Sequence, residues 1–243
     1  MKVFLAGGGF QPWVEDGFSK FYLLQSYLTA RHSRENFGRY KDFILDSGIF
    51  SFLNGKDYSK IDWEEYAYGY ATFVKERGIR NYVEIDIDRI VGLDNVEILR
   101  KKVERKVGWK CMPVWHINRG YDKWLEICRD YSYICFGAFL TDGLRKDKFL
   151  YIRKFLLDAN RNRCKVHGLG FTYFDWLKRL KFYSVDSSSW TIGGRYGSVC
   201  QFKKDRIIAI RRPNGCRVAD SRGLNKHNFY EWVKFQEYAD LYL

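Results

Sequence analysis

Two short aspartate motifs carry the residue types best suited to chemistry. The segments Leu45–Gly48 and Val185–Ser189 each place an aspartate, Asp46 or Asp186, at the end of an apolar run, and these two residues lie 140 positions apart. A carboxylate that follows an apolar strand is presented at the mouth of a sheet or barrel, where two of them can share one pocket. Such a pair can provide an acid/base and a nucleophile for reactions at a sugar carbon.

The elements that must position these carboxylates alternate between short apolar runs and amphipathic stretches. We predict strands at Lys2–Ala6, Phe43–Asp46, Tyr82–Asp86, Cys111–His116, Tyr133–Gly137, Lys165–Leu169 and Tyr183–Asp186. We predict helices at Phe18–Thr29, Trp63–Glu76, Asn95–Val107, Tyr121–Arg129, Lys146–Leu157 and Tyr173–Leu180. Strand–helix alternation with short connections demands parallel strands joined by right-handed crossovers.

This alternation predicts an α/β fold of the (β/α)8 TIM-barrel class, with a degenerate eighth unit near Ile207–Ile210 and a C-terminal helix. An open, doubly wound sheet is the alternative, but it would concentrate polar residues at one switch point. The barrel is favoured because a polar residue or glycine follows nearly every strand, at the edge where barrel enzymes carry their sites. These residues are Asp46, Asp86, His116, Gly137, Gly168 and Asp186.

Length and composition indicate one domain over residues 1–243. Apolar residues make up 46% of the chain and charged residues 29%, which is ordinary for a globular protein and argues against disorder. No apolar stretch approaches the roughly 20 residues needed to span a bilayer, and the apolar N-terminus is too short for a signal peptide. We therefore expect a soluble, cytoplasmic protein with no membrane partner.

The cysteines show no CxxC pair, and most of them lie inside apolar runs. Reduced, buried thiols are therefore the expectation. A zinc site can be imagined from Cys200, Cys216 and His227, but their spacing matches no structural zinc pattern, so we predict no bound metal. The six cysteines are Cys111, Cys128, Cys135, Cys164, Cys200 and Cys216.

Positive charge is concentrated in one third of the chain. Residues 151–230 contain 17 Lys and Arg against five Asp, and so hold +12 of the net charge of +13. So little compensating acid indicates a polyanionic partner, and nucleic acid is preferred to an anionic membrane because no long basic amphipathic helix stands out. The candidate contacts are Lys178, Arg179, Lys181 and Arg195. Flanking aromatic side chains that could stack on unpaired bases are Phe171, Tyr173, Phe174, Trp176, Trp190 and Tyr196.

Three segments in the same order resemble the tRNA-guanine transglycosylases, which are (β/α)8 barrels. Asp46–Phe50 is similar to the Asp-Ser-Gly-Gly-Phe/Tyr motif of that family. Val166–Gly170 followed by Phe182–Ser187 is similar to its Gly-x-Gly strand and nucleophile strand, and Gly193–Gly197 resembles its Arg/Gly-rich segment. The resemblance implies replacement of guanine by a 7-deazaguanine through a covalent sugar–enzyme intermediate.

The resemblance also implies roles for individual carboxylates. Asp186 matches the nucleophile that attacks C1′, and Asp46 matches the residue that handles protons on the leaving and entering bases. Burial near a second carboxylate would raise one pKa and keep a proton available near neutrality. Asp86 best matches the base-reading aspartate, although Asp88 is a rival because a shift of two residues keeps the same strand face.

Other positions matched to the family would contact the base. Ser47 follows the proton-handling aspartate, and Gly137 matches a strand whose backbone contacts the base. Gly168, Leu169 and Gly170 would let backbone and an apolar side chain approach the ring. His116 stands where the family often has glutamine, which is a departure, although imidazole can still hydrogen-bond a carbonyl. This departure leaves the contact at position 116 open.

Two further departures favour one branch of the family. The chain has no Cys-x-Cys-x-x-Cys zinc module and is shorter than the tRNA enzymes, so it looks more like the phage-type DNA 7-deazaguanine transglycosylases, the DpdA group. We therefore expect no cofactor, a preQ0-like incoming base, DNA in preference to tRNA, and the host cytoplasm as the location if the chain is phage-encoded. The target nucleotide would have to be unpaired or flipped out, with the basic segment holding the backbone.

The alternatives are the same exchange on tRNA, a glycosylase that stops at base removal, and a basic nucleic-acid-binding barrel without turnover. The oligomeric state is not readable from the sequence.

Overall fold

The computed structural model of the chain describes residues 1–7, 21–33, 36–49, 61–137, 149–211, 213 and 220–243. Its centre is a sheet of eight parallel strands, each hydrogen-bonded to its neighbours in sequence order. The strands are β1 Lys2–Ala6, β2 Tyr22–Ser26, β3 Asp42–Asp46, β4 Asn81–Tyr82, β5 Val114–Trp115, β6 Tyr133–Phe136, β7 Lys165–Gly168 and β8 Ser184–Ser187. The predicted α/β class with parallel strands is confirmed.

The sheet curls until its ends meet, which gives a TIM-type barrel. β1 pairs in parallel with β8, so the first and last strands of the barrel are neighbours. On the other side, a parallel bridge joins Val83 to Met112. There the Met112 N–H donates to Tyr82 O at 2.7 Å, and the Glu84 N–H donates to Met112 O at 3.0 Å. Only full closure removes the exposed edges of a sheet, so these bonds complete the predicted barrel.

Alternating side chains of the strands divide the apolar core in two. One buried cluster fills the barrel interior and the larger one lies between the strands and the helices, as expected because successive strand residues point to opposite faces. Phe4 belongs to the interior cluster and its neighbours Val3 and Leu5 to the outer one. The interior cluster contains Phe4, Ala6, Tyr22, Leu24, Ile44, Val83, Met112, Val114 and Cys135.

Helices cover the outer face of the barrel. They are α1 Tyr27–Ala30, α2 Trp63–Glu76, α3 Asp88–Val91, α4 Leu93–Val107, α5 Gly120–Asp130, α6 Phe149–Arg161, α7 Phe174–Leu177, α8 Ile192–Tyr196 and α9 Ser221–Tyr242. The bounds of α2 are those predicted. Asp62 caps it by accepting from the backbone N–H groups of Glu64 and Glu65. None of the described helices combines the length and the hydrophobicity needed to cross a membrane.

The predicted helix Phe18–Thr29 is wrong over Tyr22–Ser26, which form strand β2, whereas Tyr27–Thr29 do lie in helix α1. Residues 18–20 lie outside the described residues. Four consecutive residues of β2, Tyr22 to Gln25, are buried. A barrel strand is covered on both faces, so its apolar residues need not alternate. The consecutive apolar residues Tyr22–Leu24 therefore do not distinguish a strand from a buried helix.

The prediction that Ile207–Ile210 forms the eighth barrel unit is also wrong. This segment belongs to β10 Arg206–Ile210, which pairs antiparallel with β9 Val199–Lys203 in a separate hairpin. The missing unit is β2. The predicted C-terminal helix is present as α9, which lies across the outside of β1 and β2. Its Gln236 side-chain amide donates to Val3 O at 2.7 Å and to Tyr22 O at 3.0 Å.

Candidate active site

Because all eight strands are parallel, their carboxyl ends meet at one mouth of the barrel. Asp46 ends β3, Asp86 follows β4, and His116 directly follows β5. Gly137 directly follows β6, and Asp186 lies in β8. The structure therefore brings the predicted strand-end residues to one edge, where barrel enzymes carry their sites.

Asp46 faces the other two carboxylates of the mouth. Burial, and then the negative charge of Asp186, raise the pKa of Asp46 from 3.8 to about 6, and Asp86 adds a smaller effect in the same direction. The backbone N–H of Gly48 donates to Asp46 Oδ2 at 3.3 Å and opposes this rise. Carboxylates that repel each other in a poorly solvated pocket cannot all be ionised cheaply. Asp46 can therefore hold a proton near neutral pH.

The turn that follows Asp46 requires glycine at position 48. Its φ is +86°, and a Cβ atom there would lie 2.7 Å from Ser26 Oγ and 2.9 Å from Leu28 Cγ. A side chain would therefore be strained by backbone conformation and by contact. The adjacent Ser47 is buried, and its carbonyl oxygen accepts from the Tyr66 hydroxyl at 2.5 Å. The Asp46 turn is thus locked against α2.

Asp186 is held through one oxygen. Its Oδ1 accepts from the Gly170 backbone N–H at 2.7 Å and lies 3.2 Å from His167 Nε2. Among the described residues, no group hydrogen-bonds Oδ2. Gly170 has φ +65°, a left-handed conformation that lets its N–H turn toward the carboxylate. Asp186 is therefore fixed through Oδ1 by a backbone N–H and a histidine ring, and no described residue fixes its Oδ2.

Asp86 is held through both oxygens. Its Oδ2 lies 2.6 Å from His116 Nε2, and its Oδ1 accepts from Arg119 Nη2 at 2.8 Å. Burial raises the pKa of Asp86 above its ordinary value, although His116 and Arg119 both lower it. Because each carboxylate oxygen has two lone pairs, Asp86 keeps capacity to accept from a ligand.

Arg119 connects three carboxylates that follow β4. Its guanidinium lies 2.6 Å from Glu84 and 3.1 Å from Asp88, in addition to the bond to Asp86. Burial alone would raise the pKa of Asp88. The charge and the hydrogen bond of Arg119 lower it, and the pKa of Asp88 lies below its ordinary value. Arg100 approaches the other oxygen of Glu84 at 2.9 Å. This network is buried, so removing either arginine would leave an unpaired charge.

The two candidate base readers differ in access. The side chain of Asp86 is 22% exposed and that of Asp88 is 7% exposed. Asp88 also lies near the Asn118 amide, at 3.4 Å. The geometry therefore favours Asp86 as the carboxylate that a ligand could reach.

The predicted site glycines have packing roles in the structure. A Cβ on Gly137 would lie 2.6 Å from His116 Cε1, so Gly137 leaves room for the imidazole that binds Asp86. A Cβ on Gly168 would lie 3.1 Å from Phe171 and 3.2 Å from Phe182. Leu169 packs against the interior cluster. Contact of these residues with a base stays a prediction.

The four predicted nucleic-acid contacts are not brought together. Arg195 is exposed in α8, shortly after Trp190, whose indole donates to Ala6 O at the carboxyl end of β1. Lys178 and Arg179 follow α7, and Lys181 precedes β8, near the amino-terminal ends of the strands, where its charge acts on the Met1 amino group. Only Arg195 therefore lies on the side of the mouth.

The other members of the basic and aromatic prediction also separate. Lys178 pairs with Asp205 at 2.7 Å, and Arg179 stacks on Trp176. Phe171 and Trp190 are core residues, whereas the Tyr196 side chain, next to Arg195, is exposed. Phe174 and Trp176 pack partly buried against the core, and Tyr173 contacts Phe149 and Phe171. Tyr196 remains the aromatic side chain of this set best placed to stack on a base.

The cysteines behave as predicted where they are described. Cys111, Cys128, Cys135, Cys164 and Cys200 are all free and buried. Cys216 of the imagined zinc site lies outside the described residues. Its supposed partner His227 hydrogen-bonds instead to the Cys200 carbonyl oxygen, at 3.0 Å.

Sequence reasoning missed the residues that support the site. His167 lies fully buried in strand β7, and one of its partners is Asp186. Arg119 and Glu84 were not singled out. A polar residue inside an otherwise apolar barrel strand is the signal that points to His167, and the spacing of Glu84, Asp86 and Asp88 is the signal at β4.

The chain matches no known protein family, and no curated protein is significantly similar to it.

Proposed function

We propose that this protein is a transglycosylase that exchanges guanine in a nucleic acid, preferably DNA, for a 7-deazaguanine base through a covalent aspartyl–sugar intermediate. One observation carries the proposal: Asp46 and Asp186 interact electrostatically, yet they are supported so differently that Asp46 can hold a proton, while no described residue hydrogen-bonds Oδ2 of Asp186. Chemistry at a sugar carbon needs an acid and a nucleophile of this kind.

In the first half-reaction, Asp186 Oδ2 attacks C1′ of the target nucleotide. The new bond is an ester-like C1′–O bond, and the C1′–N9 bond breaks with its electrons going to guanine. The carboxylate needs no proton removed and stabilises the positive charge that develops on the sugar. Protonated Asp46 gives its proton to the departing base, so guanine leaves neutral and Asp46 becomes a carboxylate.

In the second half-reaction the roles reverse. Ionised Asp46 takes the N9 proton of the incoming 7-deazaguanine, N9 attacks C1′, and the bond to Asp186 breaks. The original proton state is restored, and two displacements retain the configuration at C1′. A group that gives and takes a proton works best with a pKa near the working pH, which is the direction in which the mouth moves Asp46.

Asp86 fits the base-reading role. A guanine-like ring presents two neighbouring donors, N1–H and the exocyclic amine, and an ionised carboxylate accepts both. His116 and Arg119 fix the Asp86 carboxylate in one orientation, so it is preorganised before a base arrives. Adenine lacks these two donors, so its binding would leave the remaining acceptor positions of the Asp86 carboxylate without partners.

The net charge of +13 supports a nucleic-acid substrate. A base inside a duplex must first leave the stack, at a cost of a few kcal/mol. In this proposal, Arg195 holds a backbone phosphate and the exposed Tyr196 stacks on a base, both from helix α8, which follows β8. DNA is preferred over tRNA on the sequence resemblance alone.

The test is base exchange in vitro with matched substrates. Purified protein is incubated with single-stranded DNA, duplex DNA or tRNA and an isotopically labelled 7-deazaguanine, and the nucleosides are then analysed by mass spectrometry. We expect the label in deoxynucleosides and an adduct that survives denaturation with wild type but not with Asp186→Ala. Label confined to tRNA would move the substrate to tRNA. Base release without incorporation would indicate a glycosylase. Binding of nucleic acid with neither base release nor incorporation would refute the proposed enzymatic activity.

A further inference from the structure

A chain of hydrogen bonds runs through the barrel interior and ends at Asp186. The Tyr133 hydroxyl lies 2.5 Å from Ser184 Oγ, which lies 2.6 Å from His167 Nδ1. On the other side of the ring, Nε2 lies 3.2 Å from Asp186 Oδ1. The chain crosses three adjacent strands, β6, β7 and β8, and His167 and Ser184 expose no surface.

One arrangement of protons satisfies every member of this chain. An ionised Asp186 only accepts, so His167 Nε2 must carry the proton that lies between them. In a neutral imidazole, Nδ1 is then an acceptor, and the Ser184 hydroxyl must donate to it. Ser184 Oγ in turn accepts from the Tyr133 hydroxyl, whose pKa burial keeps well above its ordinary value. All three bonds therefore point toward the carboxylate.

Packing alone does not explain these polar groups. The cluster of apolar side chains in the barrel interior surrounds these groups, and each buried hydroxyl or imidazole without a partner would cost free energy. Here every polar group has its partner, and the Phe4 ring also touches the His167 ring, with centroids 5.8 Å apart. Both ring nitrogens are hydrogen-bonded, so the imidazole is held in one orientation.

We propose that His167, Ser184 and Tyr133 are positioning residues for Asp186: they hold the Nε2–H tautomer of His167 and thereby aim Asp186 Oδ2 at the sugar carbon. The assignment of Asp186 as nucleophile rests on the proposed function, but the hydrogen-bond chain itself does not. A neutral chain suits this task, because it fixes the carboxylate without placing a cation beside it that would weaken its attack.

The tautomer can be measured without any activity. Protein labelled with 15N-histidine gives separate ring-nitrogen signals for its four histidines, and the His167→Gln variant identifies those of residue 167. We expect the neutral Nε2–H tautomer at neutral pH, and a loss of tautomer preference in Ser184→Ala. A Nδ1–H tautomer or an imidazolium at residue 167 would overturn the chain of donors.

The positioning role is tested by single-turnover formation of the sugar adduct. We expect His167→Leu to lower the rate constant about 100-fold, as loss of residues that orient reactive groups commonly does, while KM changes little. His167→Gln keeps a donor near the Nε2 position and should recover part of the rate. Ser184→Ala should cost about 10-fold and Tyr133→Phe less, in order of distance from Asp186.

Cys135→Ala is the matched control. Its Cα pairs with that of His167 across β6 and β7, and its side chain lies in the same interior, but it makes no bond in the chain. We expect Cys135→Ala to lower thermal stability as much as Tyr133→Phe or more, with the adduct rate unchanged. Equal loss of rate in the control, or a rise in KM that accounts for the loss in His167→Gln, would overturn the positioning role.

These two measurements fail separately. If Asp186→Ala still forms the adduct, the proposed function is wrong, although the tautomer can still be as assigned. If the adduct depends on Asp186 but the tautomer differs or His167→Leu is fully active, only the positioning role is wrong.

Discussion

The mouth of the barrel contains two aspartate–histidine pairs that are built differently. In the β4–β5 pair, Asp86 and His116 lie 2.6 Å apart, and Arg119 compensates the charge of Asp86. In the β7–β8 pair, Asp186 and His167 lie 3.2 Å apart, and the neighbours of His167 are the neutral Ser184 and Tyr133. The same two residue types thus meet a cation in one pair and only neutral dipoles in the other.

Under the proposed function, this difference would separate binding of the base, at Asp86, from reaction at the sugar, at Asp186. A carboxylate whose oxygens are held by a cation and an imidazole is rigid and remains a good acceptor for hydrogen bonds. A carboxylate held by neutral donors through one oxygen keeps more of its charge for attack. Asp46 belongs to neither pair: the Gly48 N–H and its neighbour Ser47 are its only hydrogen-bonding contacts in the described part of the chain. Burial, and then the negative charge of Asp186, therefore raise the pKa of Asp46 to about 6.

The largest expected effect comes from replacing the carboxylate of the β7–β8 pair. Asp186→Asn keeps the size of the side chain but loses the anion, and we expect kcat to fall at least about 1,000-fold. Asp86→Asn is the matched change in the β4–β5 pair, and it should act mainly on KM for the base, by about 100-fold. Steady-state kinetics with varied base concentration measures both. The reverse pattern would exchange the roles of the two pairs.

The second effect concerns stability. Arg119→Met leaves Glu84 and Asp86 without their shared cation in a buried site, and we expect a loss of about 3–5 kcal/mol in the free energy of unfolding. Urea denaturation measures this loss. Arg206→Met is the control, because Arg206 pairs with Asp175 and Asp205 at the surface and should leave the midpoint near that of wild type. Equal urea midpoints for the two variants would show that the buried network of Arg119 does not stabilise the fold.

The third effect concerns the proton of Asp46. Base release should fall as pH rises above about 6, because Asp46 must be protonated in that step. In Asp46→Asn this dependence should disappear, together with most of the activity. A pH–rate profile of the first half-reaction checks it, and an unchanged descending limb in the variant would assign the proton elsewhere.

The same group gives a prediction for stability with a defined sign. A raised pKa means that the folded state binds the Asp46 proton more tightly than the unfolded chain does, so stability falls as pH rises from about 4 to about 6. Asp46→Asn removes this loss. The variant should therefore gain stability relative to wild type between pH 4 and pH 7, and the gain should level off above pH 7 in thermal melts.

The smallest effects compare two glycines, one in each pair. Gly137→Ala pushes on the His116 ring and should raise KM for the base, whereas Gly170→Ala strains the turn that donates to Asp186 and should lower kcat. We expect about 10-fold in each case. Steady-state kinetics with correct folding verified by circular dichroism distinguishes the two. Identical changes in kcat and KM for both variants would contradict a division of labour.

The sequence predicts the barrel and the composition of its mouth. Apolar runs that end in a polar residue identify most of the strands, and parallel strands bring those ends to one edge without further information. The strand β2 is missed because its apolar residues Tyr22–Leu24 run consecutively, without the alternation that marks a strand. Ile207–Ile210 is misplaced because an apolar strand pattern does not reveal the partner of the strand.

The support of the site is not predictable in the same way. Arg119 reaches Glu84, Asp86 and Asp88 only because β4 and β5 become neighbours when the barrel closes. Charge counting places Lys178, Arg179 and Lys181 with Arg195, yet chain direction separates them, since a segment that enters β8 begins at the opposite end of the barrel.

Asp46 and Asp186 are therefore recognisable in the sequence as two strand-end carboxylates at one mouth. This is possible because the alternation of strands and helices along the chain requires the strands to be parallel. Their unequal environments are decided by the tertiary structure. Whether a carboxylate meets an arginine, a backbone N–H or a neutral histidine depends on which strands lie side by side and on which way each side chain points. Those contacts join residues that lie far apart in the sequence, such as Tyr133 and Ser184, which are 51 positions apart, and local pattern does not encode them.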